Sequence, residues 1–202
     1  MDERTKYMDR TATIKRTTKE TDISINLTLD GKGKSTVDTG IGFFDHMLEG
    51  FSRHGFFDLT VKIKGDLHVD GHHSVEDAGI VLGMAIKEAI GDKKGIKRYG
   101  FFVLPMDDAL ALCAVDLCGR PYLQFDCTFP HNMVGDFDTS LTKEFFYAVA
   151  YSAGMNIHIK LFSGENSHHM IESIFKAFAK ALSDAVSLDE RVEGVLSTKG
   201  SL

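Results

Sequence analysis

The sequence HHSVEDAGIVLGMAIKEAIG runs from His72 to Gly91, and the sequence HHMIESIFKAFAKALSDAV runs from His168 to Val186. Each begins with two adjacent histidines, and in each a glutamate follows four residues after the first histidine. Apolar residues recur in both at the spacing of an amphipathic helix, so both stretches are predicted to be helical. Two copies of one pattern, 96 residues apart, indicate that the chain contains an internal repeat.

The segments ahead of the two helices predict the same series of elements in both halves of the chain. Alternating apolar and polar residues favour strands, and longer periodic stretches that end in glycine favour helices. The elements predicted are strands over 11–18, 22–29 and 35–39, a helix over 42–55 and a strand over 58–66, then strands over 97–106, 109–118 and 121–127, a helix over 139–154 and a strand over 156–162. We therefore predict an α+β fold with a duplicated half-domain, each half a mixed four-stranded sheet with two helices on one face. The DKKG segment divides the chain into half-domains 1–93 and 94–202.

Composition excludes several classes of protein. The 202 residues are 43% hydrophobic, enough for one sizeable core or two small halves packed together. A net charge of −6 without a basic stripe argues against nucleic-acid binding, and no apolar run approaches the roughly 18 residues of a membrane span. The charged N-terminus lacks the apolar segment of a signal peptide, so we expect a cytoplasmic protein with free thiols at its three cysteines.

The histidine pairs have the spacing of metal ligands. A glutamate four residues after a histidine lies on the same helix face, so both side chains can reach one ion. The second histidine of each pair points about 100° away and is poorly placed to join that ion from the same helix. We therefore predict one metal site from His72, Glu76 and His169, and another from His168, Glu172 and His73.

A further ligand for each site is expected from the first helix of a repeat. His46 lies 26 residues before His72, and the matching position in the second half is Glu144. We assign Glu144 to the site of His72 and His46 to the site of His168. Imidazole and carboxylate ligands suit manganese, iron or zinc, and the carboxylate content favours manganese. The HExxH spacing of zinc proteases is absent.

Cationic and hydroxyl side chains form a candidate anion site. Arg98 and Arg120 fall at the ends of strands in the second half, and Lys176 lies two turns beyond His168 on the same helix. The C-terminal STKGSL segment combines hydroxyls, a lysine and a glycine, which suit a phosphate group. Its candidate phosphate-binding residues are Ser197, Thr198 and Lys199.

Five motifs resemble the imidazoleglycerol-phosphate dehydratase family, in the order that the family has them. They are DTGIGFFDHM, DGHHSVEDAGI, MDDAL, HHMIESIFKAFAKAL and STKG, within a resemblance that spans about Ala12 to Gly200. The resemblance implies a duplicated half-domain like the second domain of ribosomal protein S5. It also implies an assembly of 24 subunits with two Mn²⁺ ions per active site, lying between subunits.

The resemblance also assigns roles to residues of this chain. It places catalysis on Glu20, His46 and Glu172. Asp107 and Asp108 are separate candidates to orient metal-bound histidines, because such histidines commonly donate to a carboxylate. Many family members carry histidine where this chain has Glu144. Substrate contacts are implied for Glu20, His46, His54, His72, His73, Arg98, Arg120, His168, Lys176, Ser197, Thr198 and Lys199.

The reaction implied is loss of water from imidazole glycerol phosphate to give imidazole acetol phosphate, a step of histidine biosynthesis. We expect the substrate imidazolate to bind one ion through each nitrogen, while Glu20 transfers the proton of the neighbouring C–H group. Two alternatives remain: a dinuclear metallohydrolase, and a non-catalytic metal-binding assembly. An RNA-binding module, a third reading, conflicts with the acidic net charge.

Overall fold

The computed structural model describes residues 10–202, which form two four-stranded sheets, four helices and a short hairpin. Residues 1–9 of the first predicted half-domain lie outside the described part. The elements are β1 (Thr11–Thr17), β2 (Thr21–Thr28), β3 (Ser35–Asp38), α1 (Gly42–Gly55), β4 (Asp58–Gly65), α2 (His72–Ile90), β5 (Tyr99–Met106), β6 (Ala109–Asp116), β7 (Tyr122–Asp126), β8 (Met133–Val134), β9 (Phe137–Asp138), α3 (Leu141–Ala153), β10 (Asn156–Ser163) and α4 (Ser167–Val186).

The two sheets have the same topology. Their strand orders are β1-β2-β4-β3 and β5-β6-β10-β7. In each sheet the edge strand β3 or β7 runs parallel to its neighbour, and the other pairs are antiparallel. Both sheets are therefore mixed, which confirms the duplicated α+β fold. The β8–β9 hairpin, which the sequence did not predict, is an addition to the second half.

The helices join the halves because they pair across the repeat. Helix α2 packs against β1 and β2 of its own half and against α3 of the other, while α4 packs against β5, β6 and α1. A Cβ at Gly79 or Gly83 of α2 would meet the carbonyl oxygens of Phe145 and Val149 at 2.6 and 2.8 Å, so close approach to α3 requires these glycines. This cross-pairing brings α1 beside the histidines of α4.

The equivalent helices α1 and α3 end differently from one another. The left-handed residue after α3 is Gly154, with φ 67°, as the sequence predicts. After α1 the left-handed residue is Phe56, with φ 58°, and not the expected glycine, Gly55. A Cβ at Gly55 would lie 2.3 Å from the ring of Phe57, so this glycine leaves room for an aromatic side chain.

Two expectations about the whole chain can be compared with the described residues. Among the helices of residues 10–202, none combines the length and apolar character needed to cross a bilayer. Cys113, Cys118 and Cys127 are all free thiols, as expected. Burial raises the pKa of Cys127 to about 12, so this thiol stays protonated and poorly reactive at neutral pH.

Candidate active site

Helices α1 and α4 bring together three of the predicted metal ligands. His46 Nε2 lies 3.8 Å from Glu172 Oε1, and His168 Nε2 lies 3.4 Å from Glu172 Oε2. The ligand atoms of all three side chains lie within 4.8 Å of one another. The ring of Phe43 contacts the His168 ring edge-on, with centroids 5.0 Å apart, and restricts its orientation. Within residues 10–202, this is the single group of three or more such ligands.

Lys176 keeps the carboxylate of this group ionised. Its ammonium Nζ lies 2.7 Å from Glu172 Oε1, one helical turn further along α4. Burial disfavours the charged form of Glu172, but the hydrogen bond and charge of Lys176 outweigh it and hold the pKa of this carboxyl below its ordinary value. Glu172 Oε1 therefore pairs with the lysine, while Glu172 Oε2 faces His168.

The first histidines of the two pairs occupy equivalent helix positions. The backbone N–H of His72 donates to Asp70 Oδ1 at 2.7 Å, and that of His168 donates to Asn166 Oδ1 at 2.9 Å. Each satisfies a donor that the start of the helix leaves free. The repeat thus sets the two histidine pairs at the same register of α2 and α4.

The second histidines each contact two carboxylates. His73 Nδ1 lies 3.0 Å from Asp66 Oδ2, and its Nε2 lies 3.8 Å from Glu20 Oε1. The hydrogen bond with Asp66 raises the pKa of His73 above its ordinary value. A carboxylate at one ring nitrogen orients the ring and leaves the other nitrogen to bind a metal. His73 is therefore held as a metal ligand would be, but apart from His168 and Glu172 of its own chain.

His169 has the corresponding arrangement in the second half. Its Nδ1 lies 2.6 Å from Asp108 Oδ1, and its Nε2 lies 3.5 Å from Asp107 Oδ2. The hydrogen bond with Asp108 raises the pKa of His169. Asp108 also accepts from the backbone N–H groups of Glu165 and Asn166, which lowers its own pKa. Asp107 and Asp108 thus lie where an orienting role for His169 requires them.

The residues predicted for the other metal site are only partly assembled in one chain. His72 Nε2 and Glu76 Oε2 lie 3.8 Å apart, as their helical spacing requires. Glu144 lies half-buried on α3, beside α2, but it does not join them in a group of three among the described residues. His169, on α4, contacts Asp107 and Asp108 instead.

Five of the six predicted anion-binding residues line one cleft of about 900 Å³, whereas the sixth, Lys176, lies outside it and pairs with Glu172. Arg98 Nε donates to Asp116 at 2.7 Å, and its Nη1 donates to the carbonyl of Leu196 at 2.7 Å, so this arginine holds the C-terminal segment in place. His54 does not line this cleft and lies near Lys176 and Lys180. Its pKa is lowered mainly by burial and further by the positive charges of these two lysines. The predicted residues that line the cleft are Arg98, Arg120, Ser197, Thr198 and Lys199.

Sequence reasoning missed Asp66 and Arg191. Asp66 follows β4 and lies seven residues before His73. It could have been found from the sequence, because metal-bound histidines commonly donate their other ring N–H to a nearby carboxylate. Arg191 lines the anion cleft but also pairs with Asp189 at 2.6 Å. No pattern in the sequence distinguishes Arg191 from a solvated surface arginine.

A model of the imidazoleglycerol-phosphate dehydratase family matches residues 39–182, which include both histidine pairs. The chain belongs to the imidazoleglycerol-phosphate dehydratase family. It is 60% identical over 195 residues to an imidazoleglycerol-phosphate dehydratase from Lachnoclostridium phytofermentans, covering 96% of this chain and 100% of that protein. It is 56% identical, with the same coverage, to one from Acetivibrio thermocellus.

Solved structures of the dehydratase family share the fold of this chain. The crystal structure of imidazoleglycerol-phosphate dehydratase from Staphylococcus aureus subsp. aureus N315 has a TM-score of 0.81 at 42% identity, covering 89% of this chain and 99% of that one. The enzyme from Pyrococcus furiosus, solved in complex with (S)-C348, also has a TM-score of 0.81, at 40% identity, covering 94% and 100%. The chain is accordingly a dehydratase, a lyase of histidine biosynthesis.

Proposed function

We propose that this dehydratase converts D-erythro-imidazole glycerol phosphate into imidazole acetol phosphate and water. The observation that carries the proposal is the group formed by His46, His168 and Glu172, where three ligand atoms lie within 4.8 Å of one another. The cleft with Arg98 and Lys199 adds the positive charge that a phosphate ester needs. A metal group and an anion cleft together fit a substrate with an imidazole at one end and a phosphate at the other.

The donor set suits two Mn²⁺ ions per active site. Two imidazoles and a carboxylate leave open positions at an ion, a combination that manganese accepts. We assign one ion to His168, Glu172 and His46 with a His73, and the other to His72, Glu76 and Glu144 with a His169. Bound metal would supply positive charge that stabilises the substrate imidazole as imidazolate.

The protein's own side chains would orient the substrate and move its proton. Arg98, Arg120 and Lys199 would hold the phosphate, which fixes the reacting carbons relative to the imidazole. Glu20, whose side chain is 54% exposed, keeps its carboxylate 3.8 Å from His73 Nε2. From that position we propose that it takes the proton from the carbon beside the carbinol.

We propose that the active site forms between subunits of a cytoplasmic homo-oligomer, for which the family resemblance implies 24 copies. Three observations support shared sites: His73 lies apart from His168 in one chain, Glu20 accompanies His73, and the anion cleft contains none of the proposed metal ligands. The outer face of the second sheet also exposes apolar side chains that a subunit contact would cover. They are Phe101, Val103, Tyr122 and Phe162.

Metal removal and restoration test the proposal. The purified protein is stripped with a chelator, and Mn²⁺, Zn²⁺ or Mg²⁺ is added back with imidazole glycerol phosphate. We expect Mn²⁺ to restore formation of the ketone product, and the absence of ketone from the metallated protein would refute the proposed reaction. Release of inorganic phosphate instead would identify a metallohydrolase.

A lysine variant separates catalysis from metal storage. We expect Lys199→Ala to raise KM about tenfold and to leave bound metal unchanged. The reason is that loss of one charge-assisted hydrogen bond to the phosphate weakens substrate binding by roughly that factor. Lys94→Ala is the matched control, since Lys94 is exposed, pairs with Asp92 and lies outside the cleft. A storage protein would show no activity for either substitution to reduce.

A further inference from the structure

A buried polar network joins the hairpin that carries Glu20 to the metal-ligand helix α2. Asp77, which follows Glu76, is 7% exposed, and Thr21, in the β1–β2 hairpin, is 3% exposed. The Thr21 hydroxyl donates to Asp77 Oδ2 at 2.5 Å, and Arg16 Nη1 lies 2.5 Å from the same oxygen. Thr21 and Asp77 are costly to bury unless they are paired, so their hydrogen bond, with the ion pair from the partly exposed Arg16, fastens β1 and β2 onto α2.

The network continues to the backbone of Glu20. Thr18 Oγ1 lies 3.2 Å from Thr21 Oγ1, and it accepts hydrogen bonds from the N–H groups of Glu20 and Thr21 at 3.1 and 3.0 Å. A chain of hydrogen bonds therefore runs from Asp77 through two hydroxyls to the amide of Glu20. Asp77 lies one helical turn after His73, the histidine that Glu20 faces.

The second half has no counterpart to this network at the matching helix position. There Ser173 stands where the first half has Asp77, and its hydroxyl donates within α4 to the carbonyl of Met170. The β5–β6 hairpin is attached instead through Asp108, which binds the backbone ahead of α4. The buried network thus accompanies the hairpin to which the proposed function assigns proton transfer.

We infer that Asp77 and Thr21 are positioning residues that set the location of Glu20 relative to the metal-ligand histidine His73. The inference rests on the proposed role of Glu20, and neither residue contacts the substrate in it. Holding the hairpin against α2 fixes the reach of the Glu20 carboxylate, and small errors in the position of a reacting group cost large factors in rate.

A double-mutant cycle tests this inference on the whole assembled enzyme. We expect Thr21→Val to lower kcat about tenfold, with KM and bound manganese changed less than about twofold. In a Glu20→Gln background the same substitution should have little further effect, because the group it positions is gone. Thr21→Ser, which keeps the hydroxyl, should restore kcat.

Thr17→Val is the matched control, because the Thr17 hydroxyl bonds Asp22 within the same hairpin and does not reach α2. An equal loss from Thr21→Val in both backgrounds, or a loss of metal in parallel with kcat, would overturn the inference. Full activity of Glu20→Gln would instead refute the proposed role of Glu20.

If Glu20→Gln activity is too low to measure, amide hydrogen exchange decides. Thr21→Val should then speed exchange at Glu20 and leave the helical amides of Val75 to Asp77 protected, and exchange that is unchanged at Glu20 counts against the inference.

Discussion

The two halves share one sheet topology and one histidine register, yet they hold their second histidines with carboxylates from different places. His73 is bound by Asp66, which follows β4, whereas His169 is bound by Asp108, which lies in the β5–β6 hairpin. The duplicated scaffold therefore preserves what the helix dictates, the position of each histidine. The supporting carboxylate comes from a different loop in each half. The position of the histidine on its helix is therefore the same in both halves, whereas the position of the carboxylate that orients it is not.

The largest effect should come from removing the ligand glutamates. Glu172→Gln and Glu76→Gln are each expected to lower dehydration by more than about a hundredfold, since even the outer partners of metal ligands are worth 10–100-fold. If the halves contribute equally, each variant should lose about half of its bound manganese, as measured by metal analysis. A variant that retains all of its metal would show that its half does not bind an ion through that glutamate.

The supporting carboxylates should have intermediate effects that distinguish the halves. Asp66→Asn and Asp108→Asn are each expected to weaken manganese binding by about 10–100-fold, because each orients a ligand histidine. Asp108→Asn should also lower the melting temperature of the metal-free protein, since Asp108 holds the amides of Glu165 and Asn166 as well. If the metal-free Asp108→Asn variant melted at the same temperature as the metal-free wild type, this structural role of Asp108 would be wrong.

The smallest effect should come from the first residues of β4 and β10, Asp58 and Asn156. Asp58 Oδ1 accepts from the amides of Lys32 and Lys34, which lowers its pKa, whereas Asn156 Nδ2 donates to the carbonyl of Arg120 at 2.7 Å. Asp58→Asn should reduce the free energy of unfolding by well under about 1 kcal/mol, because the site is open to solvent.

Acid should remove the contribution of Asp58. A carboxyl with a lowered folded pKa adds stability above the ordinary aspartate pKa of about 4, and that stability is lost as the pH falls through the folded pKa. Urea denaturation at pH 7 and pH 3 should therefore show the difference between wild type and Asp58→Asn shrinking in acid. Asn156→Asp should cost more at pH 7, because an ionised carboxylate cannot donate to Arg120 and repels its carbonyl.

The parts of the site that the sequence predicted are those separated by a single helical turn. His72 with Glu76 and His168 with Glu172 were paired from spacing alone, because the helix places such residues on one face. The pairing of Glu144 with His72 and Glu76, which relied on an assumed symmetry, is not seen within one chain. Symmetry of the fold gives the positions of helices, but the length and direction of each side chain decide whether ligands meet.

By itself, the sequence determined the repeat, the order of the elements other than the β8–β9 hairpin, the two histidine–glutamate pairs on the helices and the acidic composition that argues against nucleic acid. These properties depend on periodicity and spacing over a few residues, which local backbone geometry converts directly into structure. Tertiary structure alone decided that α1 lies beside α4, that Asp66 supports His73 and that Thr21 reaches Asp77, 56 residues away. Contacts between distant segments depend on how whole sheets and helices pack, and no short pattern in the chain encodes them.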